Sequence, residues 1–180
     1  MCEYHNILSF WFSENTEPLW FAKNDAFDND IKARFSSLLA QASNNELTEW
    51  EGSAKGTLAL VILLDQCSRN IYRNTKEAFA YDKQALDLSK LSIKNGFDQQ
   101  LSVKERVFFY LPFMHSESLE DQNKSVELFE ALGLEINLKF AIEHQEIIKR
   151  FGRFPHRNAI LGRISTQEEQ FFLENEHGGF

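Results

Sequence analysis

Apolar residues recur along the chain at helical spacing. Tyr4, Ile7, Leu8, Trp11 and Phe12 predict a first amphipathic helix that ends around residues 13–15. Pro18 opens a short segment with Leu19, Trp20 and Phe21. A longer helix from about Asp25 carries Phe27, Ile31, Phe35, Leu38, Leu39 and Ala42 on one stripe and closes at residues 43–45. Ser53 is placed to cap a helix whose body, LALVILL at residues 58–64, is apolar all round, as expected of an element surrounded by others. Asp65 and Arg69 face each other across one turn if that helix continues so far, and Asn70 and Asn74 mark its break. Thr75 is expected to cap the next helix, which buries Phe79, Ala85, Leu86 and Ile93 and stops at Asn95-Gly96.

The second half repeats the pattern. Ser102 and Glu105 have capping-box spacing before a helix with Val107, Phe108, Leu111 and Met114 inward, which Pro112 bends or ends. Ser118 opens another, with Leu119, Val126, Phe129 and Leu132 ahead of Gly133, and the two read as a helical hairpin. A helix from about Glu135 carries Leu138, Ala141 and Ile148, with Phe140, His144, Ile147 and Phe151 beside them, and Gly152 is its stop. Thr166 and Glu169 form another capping box before Phe171, Phe172 and Leu173 and the tail Gly178-Gly179-Phe180. The fold class read from this is all-α, with about seven to nine helices in tetratricopeptide-like antiparallel hairpins. No linker interrupts residues 1–180, so a single all-helical domain is expected. The tetratricopeptide signature residues themselves are missing.

Composition agrees. Seventeen Phe, three Trp and four Tyr supply a core, while three Pro and eight Gly leave little material for the turns of an all-β fold. A net charge of −8 argues against general attraction to nucleic acid or anionic membrane, leaving a local basic patch as the open case. Cys2 and Cys67 have no metal-type spacing, and the start of the chain has no basic region followed by a long apolar run. A cytoplasmic protein without disulfides or cofactor is the expectation.

Against that acidic background, residues 150–163, RFGRFPHRNAILGR, pack in four arginines and a histidine. Arginine's planar fork grips carboxylate or phosphate with geometry, and the interleaved Phe151, Phe154, Ile160 and Leu161 hold the segment against a core. Asp65, Glu117 and Asp121 are the acids expected to meet Arg69, Arg150, Arg153, Arg157 and Arg163 where helix ends converge. Three readings stay open. One is a pocket for an anionic small molecule or a peptide carboxylate, with Arg153 and Arg157 as clamps and His156 beside them. Another is a hydrolase of an anionic ester or phosphoester, with His156 or His144 as general base oriented by Asp65 or Asp121. The third is a scaffold whose arginines only tie helices together. His115, Glu117, His144 and His156 offer metal-ligand chemistry, but their spacing matches no metal signature, and no metal is expected. Cys67 beside an apolar helix reads as inert packing.

LLDQCSRNIYR, FYLPFMHSE with LEDQNKSVELFE, and RFGRFPHRNAILGRISTQEE together resemble the bacterial family called domain of unknown function 924, over nearly the whole chain. The resemblance implies an all-helical, tetratricopeptide-like fold and brings no established activity. It places Asp65, Gln66, Arg69 and Asn70 in a first motif, His115, Ser116 and Glu117 in a second, and Arg150, Arg153, His156, Arg157 and Asn158 in a third. Cys67-Ser68 stands where the family motif usually reads Phe-Pro, which speaks against a catalytic role for Cys67.

Overall fold

The computed structural model describes residues 3–176; Cys2, His177 and the Gly178-Gly179-Phe180 tail lie outside them. The described residues are helical, with 3-10 turns between helices and no strand. Two compact units divide the chain, one of Met1–Arg73 with Glu77–Pro112, the other of Asn74–Lys76 with Phe113–Phe180.

In the first unit, α1 (Tyr4–Trp11), α2 (Asp25–Ser43) and α5 (Asp82–Lys94) pack around one continuous run of helix. That run is α3 (Ala54–Val61), a π-helical segment (Ile62–Cys67) and α4 (Ser68–Ile71). Residues 56–68 are all buried, which is the central helix predicted from LALVILL. The Ser53 hydroxyl accepts from Gly56 N at 3.1 Å, so the predicted cap is present. Gly56 permits the close approach of the Thr48–Gly52 turn. A Cβ there would collide with the Trp50 carbonyl oxygen and crowd the Ser53 hydroxyl.

α1 ends at Trp11, sooner than predicted, because side chains take its last carbonyls. The Thr16 hydroxyl reaches Phe10 O and Trp11 O at 2.7 and 2.8 Å, and the Trp20 indole N–H reaches Trp11 O at 2.8 Å. Phe108 of α6 (Val103–Met114) lies edge-on to Trp11, Phe12 and Trp20 and closes an aromatic cluster. The helix predicted from Thr75 is a 3-10 turn (Lys76–Phe79) followed by α5. The Ala78 carbonyl accepts from the Ser68 hydroxyl at 3.3 Å, which keeps that turn separate from α5. α6 opens with its predicted capping box, Ser102 N to Glu105 Oε2 at 3.1 Å and Glu105 N to Ser102 Oγ at 3.4 Å.

In the second unit, α7 (Leu119–Leu132) and α8 (Glu135–Phe151) form the closely packed hairpin, turning at Gly133. α9 (Gln167–Asn175) packs on a 3-10 turn, Pro155–Arg157. Ile147 and Ile148 of α8, Phe154 and Phe172 of α9 make the core here, with Phe151 packed on it. No helix among the described residues is long and apolar enough to cross a membrane.

Candidate functional site

Each unit holds one charged constellation built from sequence-predicted residues. In the first, the π segment buries Asp65 completely, and π-helical turns recur at functional sites. Arg69 pairs with Asp65 at 3.2 Å as the four-residue spacing predicts, donates to the Asp65 carbonyl at 2.6 Å, and bridges to Asp82 at 2.9 Å. Gln66 donates to the second oxygen of Asp65 at 2.6 Å. Asn70 donates to Asp28 at 2.7 Å, and Arg73 grips the same carboxylate through two nitrogens. Burial raises the Asp28 carboxyl, but the bonds from Arg73 and Asn70 outweigh that and hold it below its ordinary value. Asp65, Arg69 and Asn70 thus sit inside a matched network. Cys67 is fully buried and burial pushes its thiol up, so no reactive thiolate forms there.

The second constellation starts from a locked turn. After α6, Gln122 of α7, wholly buried, donates to Met114 O and Ser116 O at 2.7 Å each. The Ser116 hydroxyl donates to Asp121 at 2.8 Å. The polar cluster LEDQ therefore fixes the turn that presents His115 and Glu117. Glu117 takes a bidentate grip from Arg163, at 2.7 and 2.9 Å, and a bond from Phe154 N at 2.8 Å, while Arg163 also donates to Phe154 O at 3.1 Å. Burial raises Glu117, yet the Arg163 and Phe154 bonds hold its carboxyl below the usual range.

Gly152, left-handed with φ near 70°, ends α8 as predicted and turns the chain so that Phe154 enters the core. The ring of Phe154 then becomes the seat of the site. The Arg157 guanidinium lies over it, 4.5 Å from the centroid, and the rings of His144 and His156 both stand 5.5 Å away. Arg157 and His144 are buried, while His115, Glu117 and His156 are half-buried. His144 Nδ1 lies 2.8 Å from the Phe140 carbonyl, which only accepts, so that nitrogen carries the hydrogen and the neutral ring's lone pair is on Nε2. Burial first, then the charge of His115, drives His144 down to about 3. Burial and then Arg157 drive His156 down to about 4. Both imidazoles are neutral at pH 7, in a field set mainly by cations.

The remaining arginines turn to α9. Arg153 holds Glu169 bidentately at 2.6 and 2.8 Å and reaches Ile164 O at 3.0 Å. Arg150 bridges Glu168 and Glu176 at 2.8 and 2.7 Å. Glu169 also closes the predicted capping box with Thr166, and the Arg153 bonds hold its carboxyl down at about 2. Asn158, buried, donates to Ser165 at 3.0 Å.

The second unit thus brings His115, His144, His156, Arg157 and Glu117 together and sends Arg150 and Arg153 elsewhere; Arg69, Asn70 and Asp65 belong to the first unit. Sequence reasoning missed Phe154 as the common seat, Gln122 as the turn lock, and Asp28, Asp82 and Glu169 as partners. Only Glu169, already singled out as a capping acid, carried a local signal. Among the described residues no three His, Cys, Asp or Glu side chains converge on a common metal position.

The profile of a family described as "Bacterial protein of unknown function (DUF924)" matches residues 7–177. The solved structure of a protein of unknown function, ATU0120, from Agrobacterium tumefaciens is similar at 42% identity, with 95% of this chain and 96% of that chain covered and a TM-score of 0.91. No curated protein matches the chain.

Proposed function

The chain belongs to the DUF924 family of bacterial proteins of unknown function, and from that premise we propose that its second unit binds an anionic small molecule or a peptide carboxylate against Arg157, with His156 and His115 beside it. One observation carries the reading: the Arg157 guanidinium and the rings of His144 and His156 meet at the Phe154 ring, and His115 is near enough to add its charge to both imidazoles. A desolvated arginine beside neutral imidazoles favours a ligand that brings negative charge and acceptor oxygens. Arg153 leaves the clamp expected from sequence, since Glu169 already occupies its fork.

A structural role as in the scaffold reading is supported at Arg150, Arg153 and Arg163, each with carboxylates at hydrogen-bond distance. The hydrolase reading gains less. An imidazole held near 3 or 4 is a feeble general base at neutral pH, and Asp65 is committed to Arg69. A thermal-shift series with phosphate, sulfate, small carboxylates and free-carboxylate peptides tests the proposal. A true ligand at a hundredfold excess over its dissociation constant stabilises by about 2.7 kcal/mol. The shift is expected to vanish in Arg157→Gln and persist in Arg150→Gln. A shift indifferent to Arg157, or none with any anion, overturns the reading.

A further inference from the structure

We propose that the groove between α1 and α2 binds a short peptide of about three residues with both ends free, its ammonium at Glu3, its carboxylate at Arg34 and an apolar middle side chain on Phe10, Phe35 and Leu38. The groove lies wholly in the first unit and shares no residue with the Arg157 site, so neither reading needs the other.

The groove has a volume of about 660 Å³, within the usual range for small-ligand sites, and is open along its outer side. Phe10 and Phe35 meet edge to face at 5.2 Å and form its floor with Leu38. Phe35 is buried, while Phe10 and Leu38 keep part of their surface open. The charges stand at opposite ends. The Arg34 guanidinium lies 5.0 Å from the centroid of the Phe10 ring. Glu3, at the start of α1 and itself in helical conformation, precedes Phe10 by seven residues, about 10 Å along the helix. An extended peptide advances about 3.3–3.6 Å per residue, so three residues cover that separation.

Both end groups have bonding capacity to spare. Among the described residues the Glu3 carboxylate takes no hydrogen bond or ion pair. Arg34 gives its Nε to Asp30 at 2.6 Å, which leaves the outer edge of its planar fork, the two terminal NH2 groups, for a second carboxylate. Asn6, Ser37 and Gln41 line the walls between the ends with amides and a hydroxyl, which donate and accept as peptide groups require. The bonds from Gln41 to the Ser37 carbonyl and hydroxyl are long, 3.4 and 3.3 Å, and are easily exchanged for a ligand. A ligand of one sign fits worse, since a second carboxylate would meet Glu3 and a second ammonium would meet Arg34. Alternation along an extended tripeptide turns the middle side chain to the floor and the outer two to solvent.

Ala-Leu-Ala with free termini is the probe, titrated into the isotopically labelled full chain and read by amide NMR shifts. Saturable shifts at residues 3–10 and 34–41 are the expected result. Affinity should fall about fivefold, the upper end for a solvent-accessible ion pair, on acetylating the N-terminus or in Glu3→Gln, and by a similar factor on amidating the C-terminus or in Arg34→Gln. Acetylation should cost nothing further in Glu3→Gln, nor amidation in Arg34→Gln, because each removes the same pair. Both positions are exposed, so the fold is retained. Absence of saturable shifts in α1 and α2, or equal affinity for the doubly blocked peptide, overturns the proposal. A response confined to residues 152–163 also overturns it and supports the Arg157 site instead.

Discussion

The two units are held together by different means. The first is organised by an apolar helix that other helices enclose, with its charged groups gathered in two matched networks at α4 and its neighbours. The second has a smaller apolar centre at Ile147, Ile148, Phe154 and Phe172, and ties its segments with arginine–carboxylate pairs that reach far along the chain. Packing dominates one and directional charge the other. Sensitivity to volume is therefore expected in the first unit, and sensitivity to pH and salt in the second.

The sharpest contrast lies between two glycines. Gly56→Ala puts a methyl group against the Trp50 carbonyl, backbone that cannot swing aside, and is expected to cost about 3 kcal/mol in a urea melt despite alanine's better helix propensity. Gly152→Ala meets open space and only the left-handed strain, expected at about 1 kcal/mol. Equal losses at the two positions would break the comparison.

Glu117→Gln comes next. Arg163 then faces an amide, and the bond to Phe154 N weakens, for an expected loss of about 2 kcal/mol. The loss should show as faster hydrogen exchange at residues 152–163, with α3 unchanged.

Acid acts in the same direction. His144 and His156 have folded proton affinities below the ordinary 6.5, so their contribution is complete above about pH 6.5 and is lost as pH falls toward about 4 for His156 and about 3 for His144. By about pH 5 the unfolded chain has bound protons that the folded chain refuses, a loss on the order of 2 kcal/mol for each ring. Glu169, depressed to about 2 by Arg153, contributes above its ordinary 4.5 and loses that contribution as pH falls through about 2. Exchange measured at about pH 5 should therefore quicken in α8 and residues 152–163 before it does in α3. His156→Gln should shift that onset to lower pH.

The smallest effect is expected at Arg150. Its pairs with Glu168 and Glu176 are solvent-exposed, so Arg150→Gln should leave the melting midpoint unchanged within error, and added salt should not distinguish it from the wild type.

What the sequence made legible is what depends on neighbours a few residues away. LALVILL announced a surrounded helix, Ser102 with Glu105 and Thr166 with Glu169 announced helix starts, Gly152 announced a stop, and Asp65 found Arg69 one turn on. The π segment left no trace, because slipping the hydrogen-bond spacing changes no residue's polarity. Long-range partners were also hidden: Arg73 meets Asp28 and Arg163 meets Glu117, and nothing in local periodicity selects those acids over others. Phe154 read as one more core aromatic. Its role as the surface shared by Arg157, His144 and His156 comes only from the turn that follows Gly152.

The most direct test of the anion site is a crystal grown or soaked with selenate and read by anomalous scattering. A selenium peak within hydrogen-bond reach of the Arg157 guanidinium, with His156 as its neighbour, is the expected result. Peaks only at Arg150 or Arg153, or no peak in the second unit, would contradict it.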